Sequence, residues 1–149
     1  MRGRPCHVGF SMIEVMVALV IFSLGLLGLV NLQATAVRLA TDARDRTTAT
    51  FLADQLVARL LIADPATAPT FAHRPVGDTS CAPSGAASTH PTVVGWLTEV
   101  AQQLPNAAET TQQVLFDLAT RRVTVRLCWQ NGSAAPHSLS VTNVVQWQP

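Results

Sequence analysis

Residues 10–30 hold only three polar side chains, Ser11, Glu14 and Ser23, in an otherwise unbroken apolar run. A helix from Phe10 to Asn31 would be roughly 33 Å long at 1.5 Å per residue, the thickness of a bilayer's hydrocarbon core. This segment restricts the possible folds more than any other feature. It also accounts for a mean hydropathy of +0.28 and a hydrophobic content of 48%, because the chain beyond Leu32 is rich in Thr, Gln, Ala and Pro. With 149 residues, the remainder can fill one modest core.

Three readings of the segment compete. As a transmembrane anchor, with Arg2 and Arg4 before it and Arg38 only well after it, it would leave the amino terminus in the cytoplasm. As a cleaved secretory signal, it would use Ala34-Thr35-Ala36 as its small-residue site, although the apolar run exceeds the usual length. Neither reading gives Glu14 a purpose. A carboxylate deep in a bilayer costs about 2.5–3.5 kcal/mol on insertion scales. The third reading supplies one: cleavage after Gly9 would free an amine on Phe10, four residues from Glu14. There the first-turn N–H groups and the helix dipole also favour negative charge, and in an isolated helix the alternative is that Glu14 snorkels to the interface.

The cysteine count bears on this. Cys6 precedes the apolar run, and Cys81 and Cys128 follow it. Removing a leader that ends at Gly9 leaves an even pair, so a Cys81–Cys128 disulfide in an oxidising compartment is expected, with two buried free thiols as the alternative. Closing a loop of nearly fifty residues is worth roughly 4 kcal/mol in the chain-entropy treatment. Removing Arg2 and Arg4 also leaves eight arginines against nine acids, taking the net charge from +1 to −1. No basic field for direct nucleic-acid binding is expected.

The run Gly9-Phe10-Ser11-Met12-Ile13-Glu14-Val15-Met16-Val17-Ala18 resembles the class III signal of type IV prepilins and pseudopilins: a short basic leader, Gly before the cut, Phe after it, and Glu at the fifth mature position. The resemblance implies a prepilin peptidase that cuts between Gly9 and Phe10 and N-methylates Phe10. It further implies that Glu14 pairs with the amino terminus of an adjacent subunit during assembly. Many major pilins carry Pro where this chain has Asn31, and Gly25 and Gly28 are the helix-softening residues available instead.

No strong breaker lies between Asn31 and Asp64, and Pro65 supplies a stop. Leu32, Ala36, Leu39, Ala43, Val57 and Leu61 share one helical face, with Thr47 and Thr50 in the gap. A second apolar side develops from Ala49 through Leu52, Leu56 and Leu60. Asp54 falls on the first face and is expected at a solvated edge. Residues 66–92 read as an irregular loop tethered through Cys81. Val93, Trp96, Val100 and Leu104 then recur at helical spacing over 92–104, ahead of Pro105. Three strands follow, over 114–118, 122–129 (Val123, Val125 and Leu127 on one face) and 139–147, with a loop at Gln130-Asn131-Gly132-Ser133. The expected fold is therefore α+β: one long amino-terminal helix, half membrane anchor and half amphipathic spine, packed on a small antiparallel sheet. The resemblance names this the type IV pilin fold. Its parts are a leader 1–9, a transmembrane half 10–31, an amphipathic half 32–64 and a periplasmic head 65–149.

Nothing in the sequence has the spacing of a catalytic, metal or cofactor site. His7, His73, His90 and His137 fall in the leader or in loops without a ligand pattern, and Trp96, Trp129 and Trp147 are expected in the core. No enzyme activity, cofactor or metal is expected. Leu52-Ala53-Asp54, Ala63-Asp64-Pro65, Leu104-Pro105 and the 123–129 strand resemble PilV-type minor pilins. The resemblance implies a minor pilin of the inner membrane, head outward in the periplasm. Its partners would be the prepilin peptidase, other minor pilins, the major pilin and the inner-membrane assembly machinery. Rival readings are a type II secretion pseudopilin, a competence pseudopilin, and a periplasmic ligand-binding or enzymatic domain on an ordinary anchor.

Overall fold

A computed structural model describes residues 9, 11–64, 66–77 and 81–145. The first helix, α1, covers Met12–Leu61. The chain divides into two compact units, Met1–Asp42 and Ala43–Pro149, and each is taken by itself.

In the first unit, every described residue from Gly9 to Thr41 is exposed. Gly25 and Gly28 stay within the helix, as does Asn31. Three hydroxyls along this stretch are satisfied by the helix itself. Ser23 donates to the Leu19 carbonyl (2.7 Å), Thr35 to Asn31 (3.1 Å) and Thr41 to Val37 (3.0 Å). These three hydroxyls therefore add no unmet donor to the surface of the helix.

The second unit has the hydrophobic core. Its helical wall is Ala49, Leu52, Ala53, Leu56, Val57 and Leu60, all nearly or fully buried. The face that reads first in the sequence is thus not the packed one. Leu32, Leu39 and Leu61 are 68%, 67% and 45% exposed, Ala36 and Ala43 are exposed, and of that set only Val57 is buried. The packed face is the Ala49–Leu52–Leu56–Leu60 side, because α2 and the sheet approach there. Asp54 is exposed, as a solvated edge position requires. Pro65 lies outside the described residues. After Leu61, the Asp64 carboxylate accepts the Ala66 N–H (2.9 Å) in a tight turn.

The second long helix, α2, runs Pro91–Gln103 with Pro at its start, where a missing N–H costs nothing. His90 is its cap: Nδ1 accepts the Thr92 N–H at 3.2 Å. Val93, Trp96, Leu97 and Val100 face the core, and the Trp96 indole N–H donates to the Leu52 carbonyl at 2.8 Å, fastening α2 to α1 within this unit.

Three antiparallel strands complete the core in the order β1 (Gln113–Asp117), β2 (Arg122–Trp129), β3 (His137–Val144). On β2, Val123, Val125 and Leu127 point inward as the alternation requires, and Trp129 is 1% exposed. The β1 boundary shifts by one residue because Asp117 closes the turn into β2. Its carboxylate accepts from the Ala119 N–H (2.9 Å) and the Thr120 hydroxyl (2.6 Å), and Leu118 sits exposed in the turn. The Thr120 hydroxyl and then the Thr120 and Ala119 amides hold the Asp117 carboxyl below its ordinary value. Third, β3 begins earlier than the apolar pattern suggests. His137 pairs opposite Trp129 and stacks on it, ring centres 5.7 Å apart, so it is a strand residue and not a loop residue. Trp147 lies outside the described residues.

The described residues of the 66–90 segment are more ordered than a loop reading implies. They hold a short 3₁₀ turn at Ala68–Phe71, a bridge from His73 to Val114 on β1 and another between Val76 and Ser84. Gly85 (φ +101°) belongs to this fold-back, where a β-carbon would come within 3.0 Å of the Pro75 ring.

Candidate functional site

The residues singled out in the sequence fall into two separate places. Gly9, at the start of the chain's first unit, is exposed, with open space where a side chain would be. Phe10 lies outside the described residues. The Ser11 carbonyl accepts from the Glu14 N–H at 3.0 Å and from Val15 at 3.4 Å, so the helix starts here and Glu14 occupies its first turn. The carboxylate therefore sits in the positive field of the free N–H groups at the helix start. Among the described residues it has no hydrogen-bond or ion-pair partner. Ala18, one turn further on, leaves a notch bordered by Val15, Leu19 and Phe22 and open beside Glu14. The large side chains that follow are 46–69% exposed from Ile13 to Leu29.

In the second unit, Cys81 and Cys128 are joined by a disulfide, with Cα atoms 5.7 Å apart and a separation of 47 positions in sequence. Sequence reasoning missed the polar frame around it. Gln112 is fully buried, and its side-chain amide imitates a strand residue: Nε2 donates to the Cys128 carbonyl and Oε1 accepts the Cys128 N–H, both at 2.9 Å. Gln113, also buried, donates to the Arg74 carbonyl at 3.0 Å and accepts from the Arg126 guanidinium. His73 is 0% exposed. Its Nδ1 accepts the Ser88 N–H (3.1 Å), which fixes the tautomer, so Nε2 donates to the Glu109 carbonyl (3.2 Å). Each of these three side chains makes at least one bond to backbone, which is the work of holding a long connection against a sheet. Nothing in one-dimensional spacing distinguishes such a Gln or His from a solvated one.

The remaining candidates are structural by geometry. His90 caps α2 and stacks on Phe71, ring centres 4.0 Å apart. It borders an open groove with Arg59, Asp64 and Thr67, and beyond that groove Arg59 reaches Glu99 at 3.4 Å. Among the described residues, no group of three His, Cys, Asp or Glu side chains is arranged to hold a metal.

The first unit thus defines a class: an exposed apolar helix with a carboxylate in its opening turn, preceded by glycine. Residues 9–30 match the family model described as the prokaryotic N-terminal methylation motif. The match supports the pilin-like superfamily and a type IV pilin or pseudopilin kind of function. It covers only this short segment and leaves the head unassigned. Comparison with curated proteins and with solved structures found no match to the chain.

Proposed function

We propose that the chain is a minor pilin of PilV type that takes part in initiating or capping type IV pilus assembly, a structural and not an enzymatic role. The observation that carries this reading is the methylation motif lying on an exposed apolar helix whose first turn holds a lone carboxylate. In this reading prepilin peptidase cuts between Gly9 and Phe10, residues 10–31 anchor the subunit in the inner membrane, and 32–64 continue as a spine into the periplasmic head. Methylation leaves the Phe10 amine cationic, so Glu14 can pair with the amine of a neighbouring subunit as the helix leaves lipid for a helical bundle. That pairing offsets the cost of the buried acid and fixes the register between subunits. A disulfide in the head fits an oxidising periplasm. The motif serves type II secretion pseudopilins as well; the PilV assignment is supported by the looser resemblance around Leu52-Ala53-Asp54 and the 123–129 strand.

Glu14→Ala tests the assembly role. Processing and membrane insertion should persist, while incorporation into fibres should fall by about tenfold or more, since each 1.4 kcal/mol of lost association is a factor of ten. Immunoblots of sheared fibres against membrane fractions measure this, and normal incorporation of the variant would remove Glu14 from assembly.

A further inference from the structure

The three-stranded sheet has two outer edges, and the chain treats them differently. On β1, Val114 exchanges both backbone hydrogen bonds with His73 (3.0 and 2.9 Å), and the Gln113 side chain holds the same 73–76 segment, so this edge is covered. Because Val114 faces outward, its partner Val125 faces β3, and the register then directs the backbone groups of Val141, Leu139 and Asn143 toward β2. The even-numbered residues of β3 therefore turn their N–H and C=O groups away from the sheet. Asn143 Oδ1 takes the Val144 N–H at 2.9 Å. The amides of Ser138, Ser140 and Thr142 have no acceptor among the described residues.

Exposed edges are normally blunted by charge, proline, a bulge or a covering segment. Here β3 is His137-Ser-Leu-Ser-Val-Thr-Asn-Val144, with no Asp, Glu, Lys, Arg or Pro, and its pairing with β2 is continuous over eight residues. The charges of the sheet lie on the other strands, at Asp117, Arg122 and Arg126. We propose that β3 is a docking edge for β3 of a second copy of this chain, joined antiparallel about a twofold axis at Ser140. In that register Ser138 meets Thr142 of the other copy and Ser140 meets its own equivalent. All three free amides are then satisfied, and Val144, already served by Asn143, is left outside the ladder. Leu139 and Val141, partly buried against the core, come opposite Val141 and Leu139 of the partner and extend the apolar face across the junction. An uncharged strand meets its own copy without like charges opposed. The covered β1 edge cannot accept β3 of another copy, so pairing closes at two subunits and does not run on into a sheet polymer.

The test uses the full chain in detergent micelles, by sedimentation mass and by amide hydrogen exchange. The wild type should be dimeric at high concentration, with the Ser140 and Thr142 amides protected, and that protection should be lost on dilution to monomer. Ser140→Pro removes one outward N–H and leaves the β2 ladder whole, and it should weaken the dimer at least tenfold. Three results would each overturn the proposal: a wild type that is monomeric at every concentration, a dimer in which these two amides exchange freely, or a folded Ser140→Pro variant that dimerises as well as wild type. The second of these would point to association through the apolar helix.

Discussion

Replacing Cys81 and Cys128 together by serine should lower the stability of the head by roughly 4 kcal/mol, the chain-entropy value for a loop of 47 residues, within the 2–5 kcal/mol typical of lost native disulfides. The loss has two sources. The bond limits how far residues 81–128 can separate in the unfolded chain. It also holds the 66–90 connection to β2 at the residue whose backbone Gln112 already grips from the other side. The His73–Val114 bridge and the His73 and Gln113 side chains would remain, so the connection should loosen around Cys81 before the sheet does. Thermal unfolding of the oxidised wild type against the double variant measures the first effect. Hydrogen exchange at Arg74, Val76 and Ser84, whose amides are bonded in the fold-back, measures the second. Equal melting of the two proteins would mean that the polar frame alone holds the head.

Trp96→Ala should cost about 3–5 kcal/mol, the range for removing a large aromatic from a well-packed core. Trp96 is fully buried between α2 and the Ala49–Leu60 wall of α1, so the cavity would open where both helices meet. The indole hydrogen bond can be separated from the packing by comparing two milder changes. Trp96→Phe loses the donation to the Leu52 carbonyl, whereas the buried Trp129 indole N–H has no acceptor among the described residues. Trp96→Phe should therefore be the more destabilising by about 1 kcal/mol, the net worth of one such bond. Denaturant melts of the three variants decide this, and a Trp129→Phe variant at least as unstable as Trp96→Phe would contradict it.

What could be read from the sequence depended on how local the cause was. The alternation of Val123, Val125 and Leu127 and the helical spacing of Val93, Trp96 and Val100 are imposed by burial along one face, so they appear in one dimension and the structure has them. The class of the fold followed from them. The face of α1 was harder, because two apolar stripes overlap there and only the placement of α2 and the sheet chooses between Leu61 and Leu60. The start of β3 was missed because its reason lies across the sheet: His137 is held by Trp129 and by strand register. Gln112, Gln113 and His73 were invisible for the same reason. A polar residue is worth burying only when specific partners await it, and the distant ones are 16 residues away for Gln112 at Cys128 and 37 and 39 for Gln113 at Val76 and Arg74. At the amino terminus the position was reversed. Glu14 was conspicuous in the sequence as a lone acid in an apolar run, and the structure adds that it lies in the first turn of a helix exposed over residues 11–41.

The proposed pilin role requires that the Gly9–Phe10 bond be cut, so that the new amine is free to pair with Glu14. Its most direct test is the amino terminus of the protein purified from a host with a prepilin peptidase, read by terminal sequencing and intact mass. The expected result is a chain that begins with N-methylated Phe10 and lacks Cys6. A chain that retains Met1, or one that begins at Val37 after cleavage as an ordinary secretory signal, would contradict it.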